Sequence, residues 1–156
     1  MFTTKAFAVP HLKMIVCGIG AGGFLGKWFV QINDQMIVKG IDNLDFHTPK
    51  ILSELWSSHK EKFSESQTTT VYHFGFSEED GFVHTYAYRS TGNFKSEALG
   101  YGMGITPECT LLRKDVVLAD IKKMMDEQRI IQTSKPKDER IFIGGEVQIH
   151  TSLKTE

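Results

Sequence analysis

The sequence has few cysteines, almost no net charge, and neither a repeat nor a low-complexity tract. Its 156 residues contain two cysteines, Cys17 and Cys109, which are too few for a disulfide framework. No charged-then-apolar leader precedes the first apolar segment, as a secretory signal would require. We therefore expect the protein in a reducing cytoplasm.

The charge balance and the short apolar runs argue against two classes of partner. Eighteen Lys and Arg residues against 19 Asp and Glu residues give a formal net charge of −1. Such a chain has no long-range field that attracts phosphate backbones or anionic lipid. Its apolar runs are far shorter than the roughly 20 residues that a membrane-spanning helix needs. We expect neither nucleic acid nor a membrane as a partner.

Length and composition predict one compact domain over residues 1–156. The chain is 40% hydrophobic and 24% charged, and a folded chain of this length buries roughly 68–70% of its unfolded surface. That is enough for a single core.

The hydrophobic pattern predicts strands and helices in an order typical of an α+β fold. Thr48 is expected to cap the second helix, with Pro49 at its first position. Residues 33–47 fit either a strand or a broken helix. The other predicted elements are strands over 5–9 and 12–18, a helix over 21–32, antiparallel hairpins within 68–103, and a helix over about 114–131. We expect layered antiparallel β-sheets with flanking helices.

The hairpin around Asp80 and Gly81 is predicted in one of two registers, with His84 opposite either His73 or Phe74. Two imidazoles without a third ligand do not predict a metal site, and no cofactor is expected. Aromatic residues recur at every second position, so we expect them on one core face. They are Tyr72, Phe74, Phe76, Phe82, Tyr86 and Tyr88.

Four glycine-containing stretches follow one another along the chain. They are residues 5–18 leading into Gly20-Ala21-Gly22-Gly23, the hairpin 70–86 before Ser90-Thr91-Gly92-Asn93, the run 98–104, and Ile143-Gly144-Gly145 with the strand after it. In this order they resemble a proteasome-type subunit of the N-terminal-nucleophile hydrolase superfamily. The resemblance covers nearly the whole chain and implies a proteasome-like fold.

The same resemblance implies that the catalytic front of the family is missing. In that family an N-terminal threonine attacks the substrate, its own amine acts as base, and an aspartate and a lysine assist. Lys5 falls at the family's lysine position, where we expect it to be silent. Thr3 is the remaining candidate nucleophile, but it stands two residues before Lys5. At about 3.3 Å per residue, that leaves no room for a separate nucleophile hairpin.

The expected function is therefore that of a non-catalytic assembly or scaffold subunit with an N-terminally shortened, proteasome-like domain. Missing strands would leave an open sheet edge and apolar surface. A second copy or another protein would complete the sheet, which makes a homo-oligomer or a protein partner the expected state. The alternative is a threonine-type hydrolase, a peptidase or amidase, if the chain is a fragment or is complemented by another polypeptide.

A second alternative is a dinucleotide-binding protein. Gly18, Gly20 and Gly23 have the spacing of a dinucleotide loop between a strand and a helix, and Asp42 follows where a ribose-binding acid would stand. Such a domain also needs further parallel strand–helix units, whereas residues 68–103 predict antiparallel hairpins. The glycines are then expected to let the helix and the sheet pack closely.

Overall fold

The structure, a computed structural model, describes residues 4–60, 67–100, 109, 118–141 and 143. The chain divides into two compact units, residues 1–100 with 148–156 and residues 101–147. The described part of the first unit contains a five-stranded antiparallel sheet and two α-helices, and that of the second contains one α-helix. This composition confirms the predicted α+β class.

The strands of the sheet lie side by side in chain order, and each neighbouring pair is antiparallel. They are β1 (Ala6–Val9), β2 (Met14–Gly20), β3 (Thr69–Phe76), β4 (Val83–Arg89) and β5 (Ser96–Ala98). Strands were expected over 5–9 and 12–18, so β1 and β2 agree with the sequence pattern to within two residues.

Two helices of the first unit, α1 (Phe24–Gln35) and α2 (Ile41–Lys60), pack on one face of the sheet. The ambiguous residues 33–47 contain the end of α1, a short link and the beginning of α2. In the second unit, α3 spans Leu118–Thr133. Among the described residues, no helix is both long and apolar enough to cross a bilayer.

Thr48 does not cap α2, so the predicted start of this helix is wrong. The helix begins at Ile41 and contains Pro49 in its interior. Proline removes one backbone donor from the helical ladder. The Thr48 hydroxyl still donates to the Leu44 carbonyl oxygen at 2.7 Å. Because the side chains of Ile41 and Leu44 are fully buried, their packing holds the first turns helical despite the proline.

The core lies between the sheet and these two helices. Trp28 and Ile32 of α1 and Leu44 and Leu52 of α2 are completely buried against the strands. Full burial of one such apolar side chain contributes about 1.5–3 kcal/mol. At the β1 edge, Phe7 stacks on Phe29 of α1 with ring centroids 4.5 Å apart.

The β3–β4 hairpin has neither of the two predicted registers. His84 lies opposite Gly75, and His73 lies opposite Tyr86. The reason is the local chemistry of the turn, residues 77–82. The Asp80 carboxylate accepts the N–H of Phe82 at 2.9 Å, and Gly81 has a φ of 73° that favours glycine.

The predicted single aromatic face is also wrong, because the alternating residues of β3 and β4 are split between the two faces of the sheet. Tyr86 and Tyr88 pair with His73 and Val71 and face the helices. Tyr72, Phe74 and Phe76 of β3 lie on the opposite face. The side chain of Phe82 belongs to the turn and is 71% exposed.

Gly75 determines how closely α2 approaches β3. A Cβ atom at this position would lie 2.7 Å from the Met14 Cβ and 3.2 Å from the Ile41 Cδ1. Substitution Gly75→Ala is expected to lower the free energy of unfolding in urea by about 1–3 kcal/mol, because the backbone must shift to admit the methyl group.

The matched control is Gly26→Ala, inside α1, where an added Cβ meets no atom within 4 Å. Alanine at that site is expected to stabilise the protein by up to about 1 kcal/mol. Equal stability of Gly75→Ala and the wild-type protein would contradict the close approach of α2.

Candidate functional site

The glycine segment, which begins at the end of β2 and leads into α1, allows close backbone contact. A Cβ on Gly20, whose φ is 100°, would lie 2.1 Å from the Thr68 carbonyl oxygen. One on Gly18 would lie 3.0 Å from the Thr70 carbonyl oxygen. The adjoining hollow, lined in part by Lys5, has a volume of about 20 Å³. That is room for one water molecule, whereas ligand pockets usually measure about 300–1,000 Å³.

Asp42 does not lie beside this glycine segment. It belongs to the first turn of α2 and contacts His84, which shares a sheet row with Met14 at the start of β2. Gly20 stands six residues further along the same strand, about 20 Å away at 3.3 Å per residue. The structure therefore separates the predicted ribose-binding acid from the predicted phosphate loop.

The hydrolase alternative depends on Lys5 and Thr3, of which the structure describes Lys5. Lys5 is exposed just before β1, and its carbonyl oxygen accepts the N–H of Gly18 at 3.0 Å. Thr3 lies outside the described residues. The expectation that Lys5 is silent stays a prediction, as does the alternative in which Thr3 is the nucleophile.

A buried polar pair joins α1 to β3. The indole N–H of Trp28 donates to Nε2 of His73 at 2.8 Å, and the two rings are parallel within 2°. Because Nε2 accepts this bond, the neutral ring carries its proton on Nδ1. Complete burial lowers the pKa of His73 to about 3, so the ring is uncharged near neutral pH. This pair is a structural link within the core.

A second polar group, named here the His84 cluster, consists of Asp42, Asp80, His84 and Tyr86. Nδ1 of His84 lies 2.6 Å from Asp42 Oδ1 on α2, and Nε2 lies 2.8 Å from Asp80 Oδ2 in the β3–β4 turn. The Tyr86 hydroxyl donates to the same Asp42 oxygen at 2.8 Å. The cluster therefore connects three elements of the first unit.

The charges of the cluster reinforce one another. Hydrogen bonds to Asp42 and, as the smaller effect, to Asp80 raise the pKa of His84 above its usual 6.5. The N–H of Phe82 and the His84 ring lower the pKa of Asp80. Partial burial opposes ionisation of Asp42, yet hydrogen bonds from Ser77, His84 and Tyr86 outweigh it and lower the pKa of that carboxyl. Each of these shifts favours the charged form of its group, which together is an imidazolium between two carboxylates.

One helical turn further along α2, another carboxylate repeats this contact with the sheet. Asp45 Oδ1 accepts the hydroxyl of Tyr88 at 2.6 Å and that of Ser96 at 2.5 Å. Burial and the neighbouring Asp45 raise the pKa of Tyr88, so its hydroxyl remains a donor. Asp42 and Asp45 together fasten the first half of α2 to β4 and β5.

The hydrogen bonds of the His84 cluster give it a structural role, which is to hold α2, the β3–β4 turn and β4 together. Both ring nitrogens face carboxylate oxygens, whereas a general base needs a nitrogen that can reach a substrate proton. Within the described part of the chain, no group of three or more His, Cys, Asp or Glu residues could hold a metal ion.

On the sheet face turned away from α1 and α2, Ala87 is fully buried, but a larger set of apolar side chains is not. We name it the open face, and its members are Ile15, Cys17, Ile19, Tyr72, Phe74, Phe76 and Val83. Ile19 is 39% exposed and Val83 is 53% exposed. Burial raises the pKa of Cys17 to about 11, so this thiol stays protonated at neutral pH.

No protein-family model, curated protein or solved structure matches this chain. The resemblance to proteasome-type subunits therefore stays a prediction carried by the order of the sequence motifs.

The buried ring of His73 makes stability fall in acid. Since its pKa is about 3 in the folded chain and 6.5 ordinarily, the unfolded chain binds an extra proton between these pH values. The contribution is full above pH 6.5 and is lost as the pH falls, with a slope approaching about 1.4 kcal/mol per pH unit. We expect His73→Phe to lack this component of the slope.

Urea unfolding between pH 7.5 and pH 4.5 measures the slope. Removing the acceptor of the Trp28 N–H costs about 1–3 kcal/mol at every pH, so only the slope is diagnostic. The control is His11→Gln at an exposed histidine, which should keep the wild-type slope. An unchanged slope in His73→Phe would show that the ring charges within the folded protein.

Proposed function

We propose that this chain is a non-catalytic assembly subunit that packs through its open face on a second copy of the chain. The observation that carries the proposal is the contrast between the two faces of the sheet. Val16, Val71 and Tyr88 on the helix side are fully buried, whereas the open face has one fully buried residue, Ala87, but retains substantial apolar exposure at Ile19 and Val83. Apolar residues on both faces of a sheet are typical of a layer covered on both sides.

A second copy is a suitable occupant because the chain is nearly neutral. With a formal net charge of −1, two copies experience little long-range repulsion. Arg89 and Glu97, on the same side of the sheet, form an ion pair of 3.1 Å that supplies a polar border to the open face. Polar rims around apolar centres are usual in protein interfaces. Symmetric dimers are the commonest closed assemblies.

The proposal includes the proteasome-like layering that the sequence motifs imply. In support, two strands precede α1 and α2, and the β3–β4 hairpin follows them, in the order of the matching stretches. A facing sheet from the partner would supply the second β layer. A standard interface removes roughly 800 Å² per partner from water.

The non-catalytic part of the proposal is supported by the positions of the reactive side chains. His84 has both nitrogens against carboxylates. Cys17 is held as a thiol by partial burial. Ser77 is 2% exposed, and its hydroxyl accepts the N–H of Glu79 at 3.1 Å. Each group is engaged in a contact that stabilises the fold.

Charge on the open face is expected to abolish assembly. At micromolar concentration, wild-type protein should sediment as a discrete oligomer. Phe74→Glu should sediment as a folded species of 17.6 kDa, because burying an unpaired carboxylate in an apolar interface is strongly unfavourable. Circular dichroism reports whether the fold is retained.

The control is Val30→Glu, at a position on α1 that is 47% exposed, which should leave the oligomer intact. A wild-type monomer over the whole concentration range would overturn the proposal. Aggregates that dissolve only on co-expression with another protein would replace the second copy with a different partner.

Because the proposed subunit is non-catalytic, we expect it to have no peptidase activity. Fluorogenic peptide amides should not be turned over by the full chain. If turnover is found and disappears in Thr3→Ala or Lys5→Ala, the threonine-hydrolase alternative replaces the assembly function. Turnover that survives both substitutions points to a contaminating enzyme, and repurification to constant specific activity separates the cases.

A further inference from the structure

His84 is held between carboxylates that belong to two different elements. Asp42 comes from the first turn of α2, and Asp80 comes from the β3–β4 turn. We propose that His84 is a proton-dependent latch that fastens the β3–β4 turn beside α2 when its ring is charged and lets go of Asp80 when it is neutral.

A count of protons supports the charged form. Ionised carboxylates only accept hydrogen bonds, and a neutral imidazole has one N–H to donate. Two carboxylate contacts at 2.6 Å and 2.8 Å therefore require both ring nitrogens to be protonated. Charge-assisted bonds of this kind are about twice as strong as neutral ones. Loss of the proton removes one of the two donations.

The geometry indicates which contact is lost. The bond to Asp42 is the shorter one, and the Asp42 side chain is 22% exposed against 45% for Asp80. Coulomb attraction and hydrogen bonding weaken where water competes. The neutral ring should then keep its proton on Nδ1, facing Asp42. Asp80 would retain the N–H of Phe82 on its other oxygen, so the turn keeps its internal bond and loses its external one.

The groups around His84 come from each neighbouring element. On its own strand, the Tyr86 hydroxyl lies 3.5 Å from Nδ1 and donates to Asp42. Opposite it on β3 is Gly75, which adds no charge. Further along α2, Asp45 is engaged by Tyr88 and Ser96.

The remaining charged groups of the turn lie at its outer surface. Glu78 is exposed and paired with Lys13 at 3.1 Å, and Glu79 is also exposed. Deprotonation changes the formal charge of the central trio of Asp42, His84 and Asp80 from −1 to −2. The two carboxylates then repel each other without a cation between them, which also favours release of the turn.

The direction of the pH effect follows from the two carboxylates. They raise the pKa of His84 in the folded chain, so the latch contributes its full stability below the ordinary value of 6.5. That contribution is lost as the pH rises through the folded pKa. The turn is therefore held when the pH is below the folded pKa of His84 and released when the pH is above it.

Nuclear magnetic resonance of the full chain between pH 5 and pH 9 tests the latch. We expect the His84 ring to titrate above 6.5 and its basic form to carry the proton on Nδ1. The backbone amides of residues 79–82 should shift with the same midpoint. Asp80→Asn should lower the midpoint, because its amide keeps an acceptor for Phe82 but no charge for the ring.

The controls separate the latch from general titration. His84→Gln should abolish the coordinated shift of the turn amides, and His47→Gln, at an exposed histidine on α2, should leave it unchanged. A His84 midpoint at or below 6.5, a neutral form protonated on Nε2, or turn amides indifferent to this midpoint would each overturn the proposal. If His84→Gln does not fold, the wild-type titration and Asp80→Asn decide the outcome.

Discussion

The close approach of the first turn of α2 to β3 is the constraint on which the helix side of the sheet depends. It exists because Gly75 presents no side chain where Ile41 lies. This approach places Asp42 within reach of β4 and Asp45 within reach of β4 and β5. The same contact keeps two turns of helix ahead of Pro49. One missing side chain therefore determines both the length of a helix and the position of a polar cluster.

Local patterns in the sequence predict β1, β2 and α1 well, because each is decided by its own periodicity. They fail at Thr48 and Pro49, where a capping signal is overridden by the burial of Ile41 and Leu44. They also miss the hairpin register. Relative to the predicted pairing of His84 with Phe74, a shift of one residue pair, caused by the turn at Asp80 and Gly81, moves Tyr86 and Tyr88 away from the face of Phe74.

The His84 cluster lies beyond such patterns, since 42 residues separate His84 from Asp42. A partial signal is present all the same. Asp42 and Asp45 are three residues apart on a helix, and His84, Tyr86 and Tyr88 alternate along one strand. Acceptors on one element thus match donors on the other, but only knowledge that α2 begins before Pro49 would bring the two sets together.

Two histidines on the same face of the sheet have opposite electrostatic roles. His73 lies in an apolar interior where a charge would be unfavourable, and its partner is an indole donor. His84 lies at the margin between two acids, where charge is favoured. The distance of each ring from solvent and the sign of its neighbours decide the outcome. The full contribution of His73 is present above the ordinary histidine pKa, and the contribution of His84 persists up to its higher folded pKa. The two therefore stabilise the protein together mainly between these two pKa values.

The tight contact at Gly20 has a consequence for the evolutionary record of this fold. Any side chain there would collide with the backbone at Thr68, so purifying selection on folding alone would hold this glycine fixed. Gly18 is constrained less severely, since a Cβ there would lie 3.0 Å from the Thr70 carbonyl oxygen, and Gly23 is constrained by its positive φ. A pattern search across descendants of this sequence would keep returning a nucleotide-loop signature, because steric constraints of the fold are enough to preserve it.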